Sequence, residues 1–194
     1  MLNFMLPLLA YCFGSISSAI IVCRIMRLPD PRTSGSNNPG ATNVLRIGGK
    51  KAAAITLIGD LLKGLAPMLI AKMLTDNATV IALVGAAAFM GHLYPVFFSG
   101  KGGKGVATAT GVFIGLSWPL TLVLLAIWLS MATAFRYSSL AALTAAALAP
   151  FFVLWLVPGL PFFLLTLVIA VLLFWRHKEN LSRLWRGQES KIGA

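Results

Sequence analysis

A loop rich in glycine, serine and amide side chains carries the clearest chemical signal in this chain. It runs from Gly35 to Asn43 with the sequence GSNNPGATN, between the basic residues Arg32 and Arg46. Backbone N–H groups around Gly35 and Gly40, with hydroxyl side chains nearby, form the kind of concavity that holds a phosphate group. We expect the phosphate contacts to come from this loop and from the residue that follows it: Gly35, Ser36, Asn38, Gly40, Thr42, Asn43 and Arg46.

A second basic loop has the sequence GKGGKGVAT, from Gly100 to Thr108. It differs from a P-loop because Gly105, and not Ser or Thr, follows Lys104, and because no strand precedes it. An ATPase is therefore disfavoured. A flexible glycine segment that leads into a helix still favours an anion, so Gly102, Gly103 and Lys104 are candidate contacts. The alternative is a basic interfacial loop that only anchors the topology.

Three smaller polar groups stand between apolar runs. His92 lies in GHLYP and is either a substrate contact or a hydrogen-bonded structural histidine. Ser139 ends the segment Arg136-Tyr137-Ser138-Ser139, whose alternative role is ordinary loop chemistry. His177 and Asn180 have i, i+3 spacing, so both can face one ligand if the segment is helical; the alternative is a solvated amphipathic tail.

Two charged residues occur inside an apolar run. Asp60, Lys63, Gly64 and Pro67 have the spacing of one helix face. Buried charges in a bilayer cost several kcal/mol unless they are paired or face water. The sequence leaves two possibilities: a structural Asp60–Lys63 ion pair, or a Lys63 that binds a substrate anion.

Several kinds of chemistry are disfavoured by the sequence. No Asp stands at the fifth position after either histidine, and no G-x-S-x-G elbow is present. The five acidic residues show no metal-type spacing, so we expect neither a metal nor another cofactor. Cys12 and Cys23 are separated by roughly 16 Å on a continuous helix, which is too far for a disulfide.

The composition is that of a membrane protein. Of the 194 residues, 58% are hydrophobic and 11% are charged, which predicts an all-α polytopic membrane protein with a single domain over residues 1–194. The first apolar run contains no Lys or Arg before Arg24, so we expect it to remain as a helix and not as a cleaved signal peptide. The net charge of +11 fits anionic lipid headgroups better than nucleic acid, and no nucleic-acid partner is expected.

The apolar runs predict about seven transmembrane helices. Their approximate ranges are 4–23, 53–73, 78–98, 105–117, 119–135, 139–156 and 160–175. The pair between Gly105 and Phe135 is short for two spans, and two tilted helices that turn at Ser117-Trp118-Pro119 fit better than one long rod. The alternative is five spans with this region partly re-entrant.

The basic residues predict the orientation. With a periplasmic N-terminus, the inner segments 24–52, 99–104, 136–138 and 176–194 hold fourteen of the sixteen Lys and Arg residues. This positive-inside bias predicts a cytoplasmic C-terminus and places every candidate loop on the cytoplasmic side of a bacterial inner membrane.

Taken together, these segments resemble the motifs of a known enzyme family. In order along the chain they are LPDPRTSGSNNPGATNVLRIGGK, DLLKGLAP, GHLYPVFFSGKGGKGVAT, YSSL and RHKENLSRLWRGQE. They look like the motif series of the bacterial acyl-phosphate-dependent glycerol-3-phosphate acyltransferases. The resemblance implies a small integral membrane enzyme that transfers a fatty acyl group from acyl phosphate to the sn-1 hydroxyl of glycerol-3-phosphate. The products are lysophosphatidic acid and phosphate, and the reaction is the first acylation of phospholipid biosynthesis.

The resemblance also implies roles for individual residues. Catalytic positions are expected at Ser36, Arg46, Lys104 and Ser139, and His177 and Asn180 are expected on glycerol-3-phosphate. The implied partners are both substrates, membrane lipids and an enzyme that supplies acyl phosphate, with no need for acyl-CoA or acyl carrier protein. The proton acceptor stays open among His177, Asp60 and a substrate phosphate oxygen. A transporter for a phosphorylated metabolite and a structural membrane subunit are the competing classes.

Overall fold

The computed structural model describes residues 2–193, and the regular structure within them is helical. This confirms the predicted all-helical membrane class. The helices in chain order are α1 (Leu2–Gly14), α2 (Ser18–Ile25), α3 (Ala41–Leu74), α4 (Ala78–Leu93), α5 (Val106–Leu116), α6 (Trp118–Phe135), α7 (Ser138–Leu156), α8 (Leu160–Arg176) and α9 (Lys178–Trp185). A 3₁₀ turn (Val96–Phe98) lies between α4 and α5.

Five stretches of the described chain are long and apolar enough to cross a membrane. They are Asn3–Ile25, Ala41–Leu74, Ala78–Phe98, Trp118–Phe135 and Ser138–Leu156. A sixth is added if α8 and α9, which are bent by 60° relative to each other, form one broken span. The predicted number was about seven. The 11 residues of α5 account for one of the differences, because they reach only about 16 Å in a hydrocarbon layer of about 30 Å.

Several predicted boundaries move. The predicted run 4–23 is two helices, because the chain leaves the helical path between Gly14 and Ser18. The predicted run 53–73 is the second part of α3, which begins at Ala41. Gly49 interrupts α3 with a φ of 78° and a ψ of −177°, so the parts of the helix before and after it have separate axes. A left-handed φ of this kind favours glycine.

The predicted turn at Ser117-Trp118-Pro119 is confirmed. Ser117 is the N-cap of α6, and its hydroxyl accepts a hydrogen bond from the Leu120 N–H at 3.4 Å. Pro119 occupies the first turn, where its missing N–H costs no intrahelical bond. The region from 105 to 135 is therefore two helices of unequal length and not one rod.

The described chain divides into two compact units, one ending at Leu116 and the other beginning at Ser117. The single domain over 1–194 stays a prediction. In the first unit α1 packs on α4, and α3 packs on α2, α4 and α5. The backbones of α3 and α5 can lie close together because Gly64 and Gly111 have no Cβ. A Cβ at Gly64 would overlap the carbonyl of Thr108, and one at Gly111 would overlap the carbonyl of Leu61.

In the second unit α7 packs on both α6 and α8. The segment after α9 returns to the beginning of α7. There the Ile192 N–H donates to the Arg136 carbonyl at 2.7 Å, and the Arg136 guanidinium donates to the Ile192 carbonyl at 2.9 Å. The C-terminal segment and the loop before α7 are thus held together within this unit.

Candidate active site

The glycine- and amide-rich loop is held in shape by one buried side chain, Asn43. Its Oδ1 accepts a hydrogen bond from the Ser36 N–H at 2.8 Å, and its Nδ2 donates to the carbonyls of Pro31 and Ser34 at 2.9 Å each. Asn43 is 1% exposed, in the first turn of α3. Both of its amide protons are used inside the loop, so Asn43 gives the loop its shape, and its predicted substrate contact stays a prediction.

Gly35 makes this arrangement possible. Its φ is +64°, and a Cβ at this position would overlap Asn43 Oδ1. Asn37, two residues later, also has a left-handed φ of 56°. Two left-handed residues so close together fold the backbone tightly around the Asn43 amide, and the Asn37 N–H donates within this turn to the Ser34 carbonyl at 3.2 Å.

The other candidate contacts of this loop lie toward its exposed side. Ser36 and Thr42 are exposed, and Asn38 is half-buried. Gly40 is the N-cap of α3 and its N–H donates to the Asn38 carbonyl at 2.9 Å. Arg46, one turn into α3, is exposed. A helix N-terminus with hydroxyl groups and a cation beside it suits a phosphate.

An ion pair stands just before this loop. The Arg32 guanidinium donates to both carboxylate oxygens of Asp30, with its Nη2 2.7 Å from Oδ2. The side-chain hydrogen bond from Arg32 is the main reason that the pKa of Asp30 lies below its ordinary value. Arg32 is therefore paired with a neighbouring acid.

A buried charged cluster lies deeper in the first unit. Lys63 Nζ is 2.9 Å from Asp60 Oδ1 and donates to the Ile16 carbonyl, also at 2.9 Å. His92 Nδ1 is 3.7 Å from the same Asp60 oxygen, and all three side chains are at most 5% exposed. The structure thus contains the ion pair that the spacing had allowed. Since Lys63 Nζ already has two oxygen partners, its predicted substrate contact stays a prediction.

The second basic loop packs directly on this cluster. We call residues Gly100–Gly105 the glycine track. A Cβ at Gly103 would overlap the His92 ring and come within 3.0 Å of the Pro39 carbonyl, while one at Gly102 would overlap the carbonyl of His92. The glycine track and the loop before α3 therefore meet beside His92. Lys104 follows this contact and is half-buried.

The contact between the glycine track and His92 lies far from the turn between α3 and α4. His92 and Asp60 are each fourteen residues from the α3–α4 turn, or about 21 Å along their helices. The Thr108 hydroxyl donates to the Asp60 carbonyl at 2.9 Å, so α5 begins beside the same level of α3.

In the second unit, three polar side chains donate hydrogen bonds to one carboxylate, that of Glu189. Ser139 and Asn180 are predicted site residues, and Arg183 is their neighbour. Its Oε1 accepts hydrogen bonds from the Ser139 hydroxyl at 2.7 Å and from the Asn180 amide, and its Oε2 accepts from Arg183 Nε at 2.7 Å. Burial alone would raise the pKa of Glu189, but hydrogen bonds from Asn180, Ser139 and Arg183 outweigh it and hold the pKa below its ordinary value. Glu189 is thus an anionic centre for this group.

His177 lies between α8 and α9 and is buried. Its Nδ1 is 2.8 Å from the Leu173 carbonyl, which can only accept, so Nδ1 carries the proton. In the neutral ring Nε2 then has a lone pair and can accept a hydrogen bond from a hydroxyl group. The structure therefore defines which nitrogen of His177 can receive a proton.

The structure groups the candidate residues by unit. The first unit brings together Gly35, Asn43, Lys63, His92, Gly102 and Gly103, with Ser36, Thr42, Arg46 and Lys104 on the connected loops. The second joins Ser139 and Asn180 through Glu189. Glu189 was not among the residues predicted from the sequence, because it stands in a basic tail fifty residues from Ser139 and no short motif contains both residues. Within residues 2–193 no three His, Cys, Asp or Glu side chains are arranged to hold a metal ion.

Comparisons with known proteins agree on one family. A family model described as "Glycerol-3-phosphate acyltransferase" matches residues 4–187. A glycerol-3-phosphate acyltransferase of Methylococcus capsulatus is 56% identical over 186 residues, which cover 95% of this chain and 93% of the relative. That of Halorhodospira halophila is 51% identical over 194 residues, which cover 100% and 98%.

Two crystal structures of PlsY, an integral membrane glycerol 3-phosphate acyltransferase, are similar over the whole chain. The glycerol 3-phosphate form superposes with a TM-score of 0.94 at 39% identity and covers 100% of this chain and 96% of that one. The lysophosphatidic acid form gives 0.91 at 38% identity, with the same coverage. Those structures contain an acyl acceptor and an acylated product.

Proposed function

Since this chain belongs to the glycerol-3-phosphate acyltransferase family, we propose that it uses acyl phosphate to acylate the sn-1 hydroxyl of glycerol-3-phosphate. The chain is a multi-pass integral membrane acyltransferase that produces lysophosphatidic acid. We propose four further points: that acyl phosphate is the donor, that the sn-1 hydroxyl is acylated, which residues take part, and that they lie on the cytoplasmic side of the membrane. The observation that carries the proposal is the contact of the glycine track with His92 beside the Asn43-ordered loop.

The first unit suits the acyl phosphate. The glycine track and the loop before α3 meet beside His92, and Lys104 and Arg46 on these two segments supply positive charge. Donors of this kind stabilise both the leaving phosphate and the oxyanion that develops on the attacked carbonyl. Ser36 and Thr42 add hydroxyl groups on the exposed side of the loop. Asp60, which is paired with Lys63, faces His92, and the glycine track packs on His92.

The second unit suits glycerol-3-phosphate. The group around Glu189 fixes the Ser139 hydroxyl and the Asn180 amide, and Arg183 adds a charged donor. His177 Nε2 can accept a hydrogen bond from a glycerol hydroxyl, because Nδ1 donates to Leu173. Relatives with glycerol 3-phosphate and lysophosphatidic acid bound support this class of ligand.

The reaction needs little acid–base machinery. An acyl phosphate is a mixed anhydride with a good leaving group, so positioning and charge neutralisation supply much of the acceleration. The glycerol hydroxyl attacks the acyl carbon, the bond to the phosphate oxygen breaks, and the hydroxyl proton leaves with a substrate phosphate oxygen. Asp60 is unsuited to take this proton, because it is 3% exposed and paired with Lys63. No cofactor is required by this scheme.

We assign the basic loops to the cytoplasmic side, with a periplasmic N-terminus and a cytoplasmic C-terminus. The charge distribution supports this, since fourteen of sixteen Lys and Arg residues lie in segments that this topology places inside. Seven crossings then require α5 to form a short crossing of its own. The structure supports such a crossing, because α5 runs beside the second half of α3 and Lys72 Nζ donates to the Gly115 and Leu116 carbonyls at its end.

A comparison of acyl donors tests the function. Purified protein in lipid or mild detergent receives radiolabelled glycerol-3-phosphate with palmitoyl phosphate, palmitoyl-CoA or palmitoyl carrier protein, and lysophosphatidic acid is counted. We expect product from palmitoyl phosphate alone. Product from palmitoyl-CoA or palmitoyl carrier protein but not from palmitoyl phosphate would contradict the donor. The absence of product from every donor in folded protein would favour a transporter for a phosphorylated metabolite.

A further inference from the structure

The last helix, α9, carries apolar side chains on the face that points away from the protein. Of its eight residues, all of which the structure describes, only the polar Asn180 is buried. Leu181 and Trp185 are 37% and 94% exposed, and their i, i+4 spacing places them on one stripe. A helix at a boundary between protein and water has the opposite arrangement, with its apolar side chains inward. The exposed stripe therefore suits an apolar medium outside the protein.

Basic side chains flank this stripe. Lys178 is exposed three residues before Leu181, and its Nζ lies 5.3 Å from the centre of the Trp175 ring. Arg186, directly after Trp185, is also exposed. We call Lys178, Leu181, Trp185 and Arg186 the outer face of α9. Exposed tryptophan with lysine and arginine beside it is typical of helices that lie in the headgroup layer of a membrane.

The charge of the C-terminal segment favours an anionic membrane. Residues 176–194 include two acidic side chains and five basic ones, which are Arg176, Lys178, Arg183, Arg186 and Lys191. Of the two acids, Glu189 accepts a hydrogen bond from Arg183, and Glu179 lies in the first turn of α9, where the helix dipole stabilises it. Basic residues beside an apolar stripe are attracted to anionic lipid headgroups, so the charge and the stripe indicate the same partner.

The direction of α9 keeps it at one level of the membrane. α8 is apolar up to Trp175 and ends at Arg176, and α9 bends away from it by 60°. The eight residues of α9 extend about 12 Å, of which only about 6 Å lie along the α8 axis. The headgroup layer of one leaflet is about 5–8 Å deep. With α8 crossing the membrane, as in the proposed topology, α9 stays within this layer.

The inner face of α9 belongs to the group around Glu189. Asn180 and Arg183 of α9 donate to Glu189, which also accepts from Ser139 at the start of α7. A shift of α9 relative to α7 would therefore separate the Asn180 amide from the Ser139 hydroxyl. Whatever covers the outer face holds these polar groups in register on the inner face.

We propose that the outer face of α9 docks into the headgroup layer of an anionic phospholipid membrane, and that this docking holds the Glu189 group in the arrangement that binds glycerol-3-phosphate. The docking stands on the exposed stripe, the basic flanks and the 60° bend. Its effect on glycerol-3-phosphate rests on the proposed function. Anionic lipid then acts as an activating ligand of the site.

Fluorescence of Trp185 tests the docking without any need for activity. Wild type and Trp185→Phe are reconstituted in vesicles of phosphatidylcholine, alone or with an equal amount of phosphatidylglycerol, and the emission lost in the variant is that of Trp185. In anionic vesicles we expect lipids brominated near the headgroup to quench about half of this emission or more, and aqueous acrylamide to quench little of it. The bromine quenching should fall by about twofold in phosphatidylcholine alone.

A pair of charge variants tests the preference for anionic lipid. Lys178→Gln/Arg186→Gln removes two positive charges from the outer face, and Lys50→Gln/Lys51→Gln removes the same charge from exposed positions on α3. Each pair is made in wild type and in Trp185→Phe, so that the Trp185 emission is again a difference. We expect only the first pair to abolish the difference in quenching between anionic and neutral vesicles.

Steady-state kinetics in anionic vesicles test the effect on the site. Trp185→Ser should raise the KM for glycerol-3-phosphate by about fivefold or more and leave the KM for palmitoyl phosphate within about twofold of wild type. Trp185→Phe should stay close to wild type, because it keeps an apolar ring. Trp155→Ser is the matched control, since Trp155 is 86% exposed near the other end of α7 from Ser139.

Three results would overturn the proposal. A Trp185 emission that acrylamide quenches and brominated lipid does not would show a solvated helix, and one that neither quencher reaches would show a protein partner or a second copy on the outer face. Equal bromine quenching in both kinds of vesicle would contradict the preference for anionic lipid. A normal KM for glycerol-3-phosphate in Trp185→Ser would contradict the effect on the site. Wild type without turnover is a different result, because it contradicts the proposed function while the fluorescence still decides the docking.

Discussion

The backbone of Gly103 lies directly against the imidazole of His92, so that a Cβ at this glycine would overlap Nε2 of the ring. His92 in turn faces Asp60, whose carboxylate is paired with Lys63. Three segments of the chain are thus in contact one after another: the Asp60–Lys63 ion pair on α3, His92 on α4, and the glycine track. The position of the glycine track therefore depends on the side chains of His92, Asp60 and Lys63.

Gly103→Ala should lower lysophosphatidic acid synthesis by about a hundredfold or more. The added methyl group displaces the track from His92, and loss of one oxyanion donor has an effect of this size. Gly100→Ala is the control, because nothing lies within 4 Å of a Cβ there, although its φ of +69° adds strain of about 1 kcal/mol. Equal activity losses in the two variants would show that the His92 contact has no special role.

Lys104→Ala and Arg46→Ala should each abolish turnover while the protein remains folded. Each substitution removes a positive charge from a loop that is proposed to neutralise a phosphate. Lys101→Ala is the matched control for the first variant, since Lys101 is exposed and three residues away on the same track. A Lys104→Ala enzyme with near-normal rates and a normal KM for acyl phosphate would remove this lysine from the site.

Asn43→Asp should destabilise the protein by about 3 kcal/mol, because a carboxylate cannot donate to the carbonyls of Pro31 and Ser34. We also expect a large loss of activity, because the loop loses its shape. Thermal unfolding in detergent and initial rates measure the two effects. Asn38→Asp is the control. It should leave the midpoint of thermal unfolding unchanged, because Asn38 is only half-buried, whereas Asn43 is buried. A stable, active Asn43→Asp variant would contradict the loop-ordering role.

Lys63→Met should destabilise the protein by about 3–5 kcal/mol, since it leaves the Asp60 carboxylate buried without its cation. The double variant Asp60→Asn/Lys63→Met should recover most of this loss and keep lysophosphatidic acid synthesis. Denaturation in detergent and steady-state kinetics give both readouts. A folded double variant that no longer binds acyl phosphate would return Lys63 to the substrate contacts.

Glu189→Gln should raise the KM for glycerol-3-phosphate and leave the KM for acyl phosphate nearly unchanged. Glutamine has one acceptor oxygen and no charge, so it cannot accept from Ser139 and Asn180 on one side and from Arg183 on the other. Glu179→Gln, on the exposed part of α9, is the control and should behave as wild type. A rise in the KM for acyl phosphate alone would contradict this assignment.

Acid should remove the stabilising effect of Glu189. Its pKa in the folded protein lies below the ordinary value of 4.5, so the carboxylate stabilises the fold above that pH. This contribution is lost as the pH falls through the lower folded pKa. The difference in thermal midpoint between wild type and Glu189→Gln should therefore be constant near neutral pH and become smaller below about pH 4.5. A difference that grows in acid would show the opposite shift.

The apolar runs predicted where most helices lie, because hydropathy over about twenty residues is a strong local signal. They failed where backbone geometry decides. Nothing in the apolar pattern indicates that α3 begins at Ala41 or that Gly49 interrupts it, since the apolar run begins only after Lys50 and Lys51. The glycine track has the composition of a surface loop, and its buried position depends on contacts with α4.

The candidate residues show the same division. Asn43 was found from the loop sequence, but its role follows from three hydrogen bonds to residues seven to twelve positions away. Glu189 was missed because its partner Ser139 is fifty residues away and no short motif joins them. Residue type indicates what chemistry is possible, and long-range packing decides which group performs it.

The Asp60–Lys63 pair has a consequence for biogenesis. Each charge would cost about 2.5–3.5 kcal/mol at the centre of a helix that leaves the translocon for lipid. The two residues are one turn apart on α3 and their side chains meet at 2.9 Å, so the helix neutralises itself without help from another segment. Membrane insertion of α3 therefore need not wait for synthesis of α4. The ion pair on α3, His92 on α4 and the glycine track are translated in the same order in which their contacts are completed.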